Sequence, residues 1–381
     1  MPTPDSPERS AARAAEWLHR LLSECVKRAA SDLFLKTGAP PSLRISGEVN
    51  FLRADPVPAQ AMDRVAALVL GDRHKDFQAA GEADLAYQVA GIGRFRVNVF
   101  RQRGGVSAAF RHIPAQVPSF VELNLPVRQL QQLAAQTRGI VLLTGVTGSG
   151  KSTTLAAIVD YINEQYRRHI ITIEDPIEFV HPDKKSLVEQ REVGADTASF
   201  EQALRHVVRQ NPDVILIGEM RDRVTIETAL NAAEIGHLVL STLHTATAMQ
   251  TLERIVSYFP PHQHALIHTQ IANTIQGVLS QQLLVRADGA GRVPAVEVMM
   301  RSPTICELIY KGQTLKLPDA MREDTYFGNQ TFNQALVQLH RAGTVTLEQA
   351  LTASPKPQEL RNELQGLSTD SSSRGIGAGE P

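Results

Sequence analysis

The sequence predicts an α/β protein in which a small α+β domain precedes a parallel-sheet domain and a helical subdomain follows. Three observations carry this. From Gly139 onward, the near-continuous apolar runs Ile140–Leu143, Ile170–Ile173, Val214–Ile217 and Leu238–Leu240 alternate with helical segments, as expected of parallel strands buried on both faces. Before them, shorter runs rich in β-formers, Leu33–Leu35, Leu43–Ile45 and Arg94–Phe100, are separated by Gly38-Ala39-Pro40-Pro41, Ser46-Gly47 and Gly91-Ile92-Gly93. After about Thr251 the pattern is mainly helical, with Pro260-Pro261 as a break and Gly289–Gly291 as a turn.

In chain order, residues 1–10 and 368–381 are polar Ser/Gly/Pro-rich stretches expected to fray as tails. Ala14, Trp17, Leu18, Leu21, Leu22 and Cys25 recur at helical spacing and predict a first amphipathic helix, which opens a small domain over 11–114. Residues 115–126 read as a linker, since Pro114, Pro118 and Pro126 punctuate the segment. The main domain follows over 127–367. Its clearest helix spans roughly Phe200–Arg209, with Phe200, Ala203, Leu204, Val207 and Val208 on one stripe and Ser199 with Gln202 as a capping box. Residues 332–365 add further helical periodicity, and no internal repeat is evident.

Composition narrows the function classes. The 381 residues are 43% hydrophobic and 21% charged, which excludes global disorder. Lys plus Arg number 39 against 40 Asp plus Glu, so no overall basic field attracts nucleic acid or anionic lipid. Cys25 and Cys306 stand alone, without disulfide or zinc spacing, and fit a reducing compartment. No stretch is apolar enough for a signal peptide or a membrane span. The expectation is a cytoplasmic protein without direct membrane insertion.

The octet Gly145-Val146-Thr147-Gly148-Ser149-Gly150-Lys151-Ser152 matches the phosphate-loop pattern GxxxxGK[ST]. It lies between the strand Ile140–Leu143 and the helical stretch beginning at Thr153, the context the pattern requires. Its glycines let successive backbone N–H groups turn inward on phosphates, the helix N-terminus adds partial positive charge, Lys151 reaches the terminal phosphates and Ser152 can ligate Mg2+. A plain Gly-rich turn opening a helix is the alternative. ATP with Mg2+ is the expected cofactor pair.

Three further stations follow at strand ends. Val214-Ile215-Leu216-Ile217-Gly218-Glu219 is a buried strand ending in a carboxylate, where such folds place the acid on the Mg2+ side or beside the attacking water; an ion-paired turn Glu219-Met220-Arg221-Asp222 is the alternative. Glu174-Asp175-Pro176-Ile177-Glu178 sets acids at the end of another strand, so Glu178 or Glu174 could orient that water, and a solvated loop held by Pro176 is the alternative. The strand Leu238–Leu240 is bracketed by His237 and His244, and His244 falls on the edge where ligands bind in parallel sheets. Either histidine could instead be a packed structural residue.

Together, GVTGSGKSTT, ITIEDPIEFVH, QNPDVILIGEMRD and GHLVLSTLHT resemble, in order and spacing, the boxes of the secretion ATPases, most of all the type IV pilus retraction ATPases of the PilT/PilU family. The likeness extends to Ala30-Ser31-Asp32-Leu33, Gly93–Asn98, Glu297-Val298 and Gln330-Thr331-Phe332, over roughly residues 25–365. What the resemblance implies is a PAS-like N-terminal domain, a RecA-like P-loop ATPase domain and a homohexameric ring whose ATP hydrolysis drives pilus disassembly and twitching motility. It implies an inner-membrane pilus platform protein as partner, a paralogous retraction ATPase as another, and a place at the inner-membrane base of the pilus machine. By position, Lys151, Ser152 and Thr153 match the Walker A residues, Glu178 the acid of the aspartate box, Glu219 the Walker B glutamate, and His237 with His244 the histidine box. Arg96 and Arg111 match arginines of the small domain that approach the nucleotide.

The chain departs from the family at Phe34, where many relatives carry histidine, and at Thr304-Ile305-Cys306-Glu307-Leu308-Ile309, which lacks the Arg-Asn pair of the AIRNLI motif. It also carries a Ser/Gly-rich tail. An accessory PilU-like ATPase dependent on a paralogue therefore stays open beside the retraction motor. A pilus assembly or secretion ATPase would commonly carry a tetracysteine zinc site, which two isolated cysteines do not supply. A nucleic-acid translocase would show basic loops or stacking aromatics, against 5% aromatics and a charge of −1.

Overall fold

A computed structural model of the chain describes residues 7–45, 47–114 and 116–365. They fall into two compact units, one running to Gln116 and including Glu178–Val180, the other comprising Val117–Ile177 and the chain from His181.

The first unit is built from α1 (Pro7–Lys27), β1 (Asp32–Lys36), β2 (Ser42–Ile45), β3 (Glu48–Phe51), α2 (Ala59–Leu70), α3 (His74–Ala80), β4 (Glu82–Val89), β5 (Gly93–Gln102) and β6 (Gly105–Ile113). Its six strands form an antiparallel sheet in the order β3-β2-β1-β6-β5-β4. Alternation along the strands sends Leu33, Leu35, Phe95, Val97, Val99 and Phe110 to one face, where they pack with Leu18, Leu22 and Cys25 of α1 and Met62, Val65 and Ala66 of α2. Each such aliphatic side chain removed from water contributes about 1.5–3 kcal/mol. Arg94, Arg96 and Asn98 alternate with that buried set, as their spacing predicts. The first helix begins at Pro7, so residues 7–10 belong to it and not to a tail; the other tail residues, 1–6 and 368–381, lie outside the described residues.

The second unit contains α4 (Val127–Ala134), β7 (Gly139–Thr144), α5 (Lys151–Gln165), β8 (His169–Glu174), β9 (Leu187–Glu192), α6 (Phe200–Val207), β10 (Val214–Ile217), α7 (Arg223–Glu234), β11 (Leu238–Leu243), α8 (Ala248–Ser257), α9 (His264–Thr274), β12 (Ile275–Val285), β13 (Arg292–Met300), α10 (Pro303–Tyr310), α11 (Leu317–Glu323), α12 (Phe332–Arg341), α13 (Leu347–Ala353) and α14 (Pro357–Leu364). The sheet order is β13-β12-β7-β11-β10-β8-β9, parallel throughout except for the β12/β13 hairpin.

The apolar runs are continuous because both faces are covered. Ile140, Leu142, Ile171, Ile173, Ile215 and Ile217 point into a core shared with α6, α7, α8 and α9, whereas Val141, Leu143, Ile170, Val214 and Leu216 point into a second core with α4 and α5. This three-layer arrangement is the RecA-like α/β fold. A smaller cluster packs Phe332, Leu336 and Leu360 against Leu284 and Val293 at the far end of the hairpin.

Three expectations need correction. The segment expected as a linker is, from Val117, part of the second unit, with Phe120 and Leu125 buried beneath α4 and α5. The helix at Phe200 ends at Val207 and tightens into a 3-10 turn over Val208–Gln210, while its Ser199 cap accepts from the Gln202 N–H. Past Thr251 the chain is mainly helical, as expected, but Ile275–Met300 forms a long β12/β13 hairpin that the sequence pattern does not place. Ile275, Val278 and Leu279 fall at helical spacing, and pairing with β7 overrides that local pattern.

Candidate functional site

In this sheet the C-terminal ends of β7, β11, β10 and β8 lie side by side, with neighbouring strands about 4.8 Å apart. The phosphate-loop octet follows β7, His244 follows β11, Glu219 follows β10 across Gly218, and Glu174 with Asp175 closes β8. Four sequence-predicted stations thus arrive at one sheet edge, where parallel α/β sheets bind ligands.

The loop has the backbone that a phosphate cradle requires. Gly145, Gly148 and Gly150 all have positive φ, at 144°, 77° and 90°. At Gly145 a Cβ would lie 2.3 Å from the Gln281 carbonyl oxygen, so the loop closes against β12 only because no side chain is there. Gly150 is the left-handed N-cap of α5, and a Cβ on it would meet Gln281 Nε2 at 2.7 Å. Gln281, which no sequence motif singled out, also accepts a 2.9 Å bond from Thr154 Oγ1. It lies close against both ends of the loop from the neighbouring strand and is bonded to the first turn of α5.

Lys151 is 8% exposed, and its ammonium donates to the carbonyls of Gly145 at 2.8 Å and Val146 at 3.0 Å, so it folds over its own loop. Ser149 Oγ is buried without a hydrogen-bond partner. A ring of left-handed glycines, an ammonium, an unpaired hydroxyl and the N-terminus of a fifteen-residue helix fit a polyphosphate and its cation. Ser152 opens that helix, Thr153 follows it, and Val146 and Thr147 form the exposed tip. Among the described residues no group of three or more His, Cys, Asp and Glu is placed to hold a metal ion.

Glu219 is placed by its neighbours. Met220 N–H donates to Thr242 O at 3.1 Å, Thr242 Oγ1 donates to Gly218 O at 2.7 Å, and Gly218 N–H donates to Ile173 O at 2.8 Å, pinning the segment between β11 and β8. Its carboxylate is 18% exposed, with Oε1 lying 3.1 Å from His244 Nε2 and Oε2 accepting 2.7 Å from Arg221 Nε. The turn at Glu219–Asp222 is thus ion-paired through Glu219 and Arg221, as the alternative reading expects, and the same carboxylate meets His244. Asp222 is spent as the N-cap of α7, accepting from the Thr225 N–H at 2.9 Å.

The other predicted residues are placed differently. Glu174 Oε1 accepts from Thr172 Oγ1 at 2.7 Å and from Gln190 Nε2 at 3.1 Å at the end of β8. Glu178 is exposed and groups with the first unit. His237 precedes β11 and lies at the opposite end of that strand from His244; its Nδ1 pairs with Ala232 O at 3.0 Å. Six residues of strand, about 20 Å, separate the two histidines, so the second unit does not bring His237 to the phosphate-loop edge. In the first unit Arg96 and Arg111 face each other across β5 and β6. Arg111 Nε donates to Asp32 Oδ1 at 3.0 Å, and Arg44 Nε lies 3.3 Å from the other oxygen of the same buried carboxylate. Like charges opposite one another on a sheet are destabilising unless an anion offsets them.

Residues 8–317 match the family described as Type II/IV secretion system protein. Among curated relatives, the type IV pilus ATPase PilU of Pseudomonas aeruginosa is 42% identical over 343 residues, 90% of this chain and 90% of that protein. The type IV pilus retraction ATPase PilT of the same organism is 42% identical over 341 residues, 89% of this chain and 98% of that protein. Among solved structures, the pilus retraction motor PilT with bound ADP superposes with a TM-score of 0.84 at 45% identity, covering 90% of this chain and 98% of that one.

Proposed function

The chain belongs to the Type II/IV secretion system protein family, and on that premise we propose that it is an ATP-hydrolysing motor that drives type IV pilus retraction and twitching motility. The observation that carries the reading is the convergence of the phosphate loop, Glu219 and His244 on adjacent strand ends of one parallel sheet.

In this reading the N–H groups of Gly145–Gly150 and Lys151 hold the phosphates, with Ser152 and Thr153 at the mouth of α5. Ser152, directly, and Glu219, directly or through water, would hold Mg2+, which when bound neutralises charge developing on the transferred phosphoryl group. Glu178 orients the attacking water, and His244 keeps Glu219 in place. Lys151 must leave its loop carbonyls to meet a phosphate, and Glu219 must exchange at least one of its partners to serve the cation. Arg96 and Arg111 supply positive charge when the first unit closes. The working form is a homohexamer engaging the inner-membrane platform protein from the cytoplasmic side; no helix among the described residues is long and apolar enough to cross a membrane.

Turnover of ATP by the purified chain, lost in Lys151→Ala with the fold retained, tests this reading. Retained turnover in that variant would overturn it.

An accessory, PilU-like role is the second reading. It is favoured by α10, where Thr304–Ile309 lacks the Arg-Asn pair, while identity to PilU and to PilT is equal and separates neither. Strong turnover by the chain alone favours the motor, and turnover that requires a paralogue favours the accessory role.

A further inference from the structure

One ladder rung lies directly beneath both functional loops. In the register of the sheet Leu243 faces Thr144, Thr144 faces Ser280, and Ser280 faces Glu297. Leu243 immediately precedes His244 and Thr144 immediately precedes Gly145, so this is the last rung before the two loops leave the sheet. Its polar side chains form a directed series: Thr144 Oγ1 donates to Ser280 Oγ at 3.0 Å, and Ser280 Oγ donates to Glu297 Oε1 at 3.2 Å. The same Oε1 accepts the Ala248 N–H at 2.7 Å, and Ala248 opens α8, where the loop carrying His244 ends. A backbone donor from Phe332 at the start of α12 reaches this carboxylate as well. Thr144, Ser280 and Ala248 are fully buried and Glu297 is 7% exposed.

A carboxylate in such a place is expensive, because burial disfavours its charge and the neutral donors around it recover only part of the cost. Burial pushes the Glu297 carboxyl above its ordinary range, and the bonds from Ala248, Ser280 and Phe332 pull it back. An apolar residue would spare that cost but could not tie three strands and two helix starts together.

We infer that Glu297 is a positioning residue for the candidate site: by holding Ser280 and the Ala248 N–H on one oxygen, it fixes the His244 loop relative to the strand from which the phosphate loop springs. The inference rests on the nucleotide-hydrolysing reading above, and it assigns Glu297 an effect through His244 rather than on the nucleotide. It predicts that breaking the rung loosens residues 244–248 and slows hydrolysis without abolishing nucleotide binding.

The test uses the full chain with Glu297→Gln and Ser280→Ala, each alone and combined with His244→Ala. Glu297→Gln should speed amide exchange at Ala248 by ~10-fold and lower kcat by ~10-fold, the usual scale for a supporting residue, while KM and ADP affinity stay within about threefold. Because the effect passes through His244, the kcat loss should shrink below about threefold once His244 is already alanine. Ser280→Ala keeps the carboxylate and removes only the bridge, so it should show the same dependence on His244 if Glu297→Gln fails to fold. Unchanged exchange at Ala248, or equal losses in both backgrounds, would overturn the inference and leave Glu297 as a support of the fold alone. A wild-type chain without turnover would instead remove the reading on which the inference rests.

Discussion

Glu219 and His244 meet at 3.1 Å, carboxylate Oε1 against ring Nε2, because β10 and β11 are parallel neighbours whose last paired residues are Ile217 and Ser241. The contact holds the acid from one side while Arg221 holds it from the other at 2.7 Å. A carboxylate gripped in this way has little freedom to rotate, and it must give up at least one of these partners to take a cation.

Glu219→Gln keeps the shape and one acceptor oxygen but removes the charge. It should cut ATP turnover by about 10²–10⁴-fold with nucleotide binding largely preserved, and Glu178→Gln should do the same if it orients the water. Single-turnover rates beside a fluorescent-nucleotide titration separate the two quantities; normal hydrolysis by Glu178→Gln would remove that residue from the mechanism.

The histidines should differ. His244→Ala frees one oxygen of Glu219 and should lower kcat by about 10²-fold, at the lower end of what positioned groups contribute. His237→Ala loses only a bond to Ala232 O at the far end of β11 and should stay within about fivefold of the parent. Equal losses would mean that His237 reaches a nucleotide by a route outside its own sheet edge.

Arg96 and Arg111 are each other's cross-strand neighbours, and only Arg111 is tied to Asp32. Arg96→Ala and Arg111→Ala should leave ADP affinity within about threefold yet reduce hydrolysis by about 10³-fold or more, the scale of an arginine supplied to a transferring phosphoryl group. Parental rates in both variants would show that the small domain is no catalytic lid.

Two glycines of the loop allow a matched comparison of stability. Gly145→Ala must push the Gln281 carbonyl away and adopt a conformation rare for side chains, so it should cost about 1–3 kcal/mol and impair nucleotide binding. Gly148 has nothing within 4 Å of its would-be Cβ, so its alanine variant pays only the left-handed backbone, about 1 kcal/mol. Urea unfolding of both variants checks the order.

The parallel strands were legible in the sequence because burial on both faces writes them as unbroken apolar runs, as at Val214–Ile217. The phosphate loop was legible because its glycines and Lys151 are local in sequence. Gln281 was not, and Glu297 stood out only as part of a family likeness without a role, since each acts from the β12/β13 hairpin, far along the chain, through contacts that appear only once β12 pairs with β7. The hairpin itself was hidden by helical spacing at Ile275, Val278 and Leu279. Strand direction already set His244 apart from His237 in the sequence, and His237 joined it only through the family's histidine box, whereas the structure leaves it at the other end of β11.

The most direct test of the central claim is a clean deletion in the source organism, complemented with the wild-type chain or with Lys151→Ala, scored for surface pili and for twitching. A retraction motor predicts excess surface pili without movement in the deletion and in the Lys151→Ala strain, with both restored by the wild-type chain. A deletion strain without surface pili would contradict the account and assign the chain to assembly.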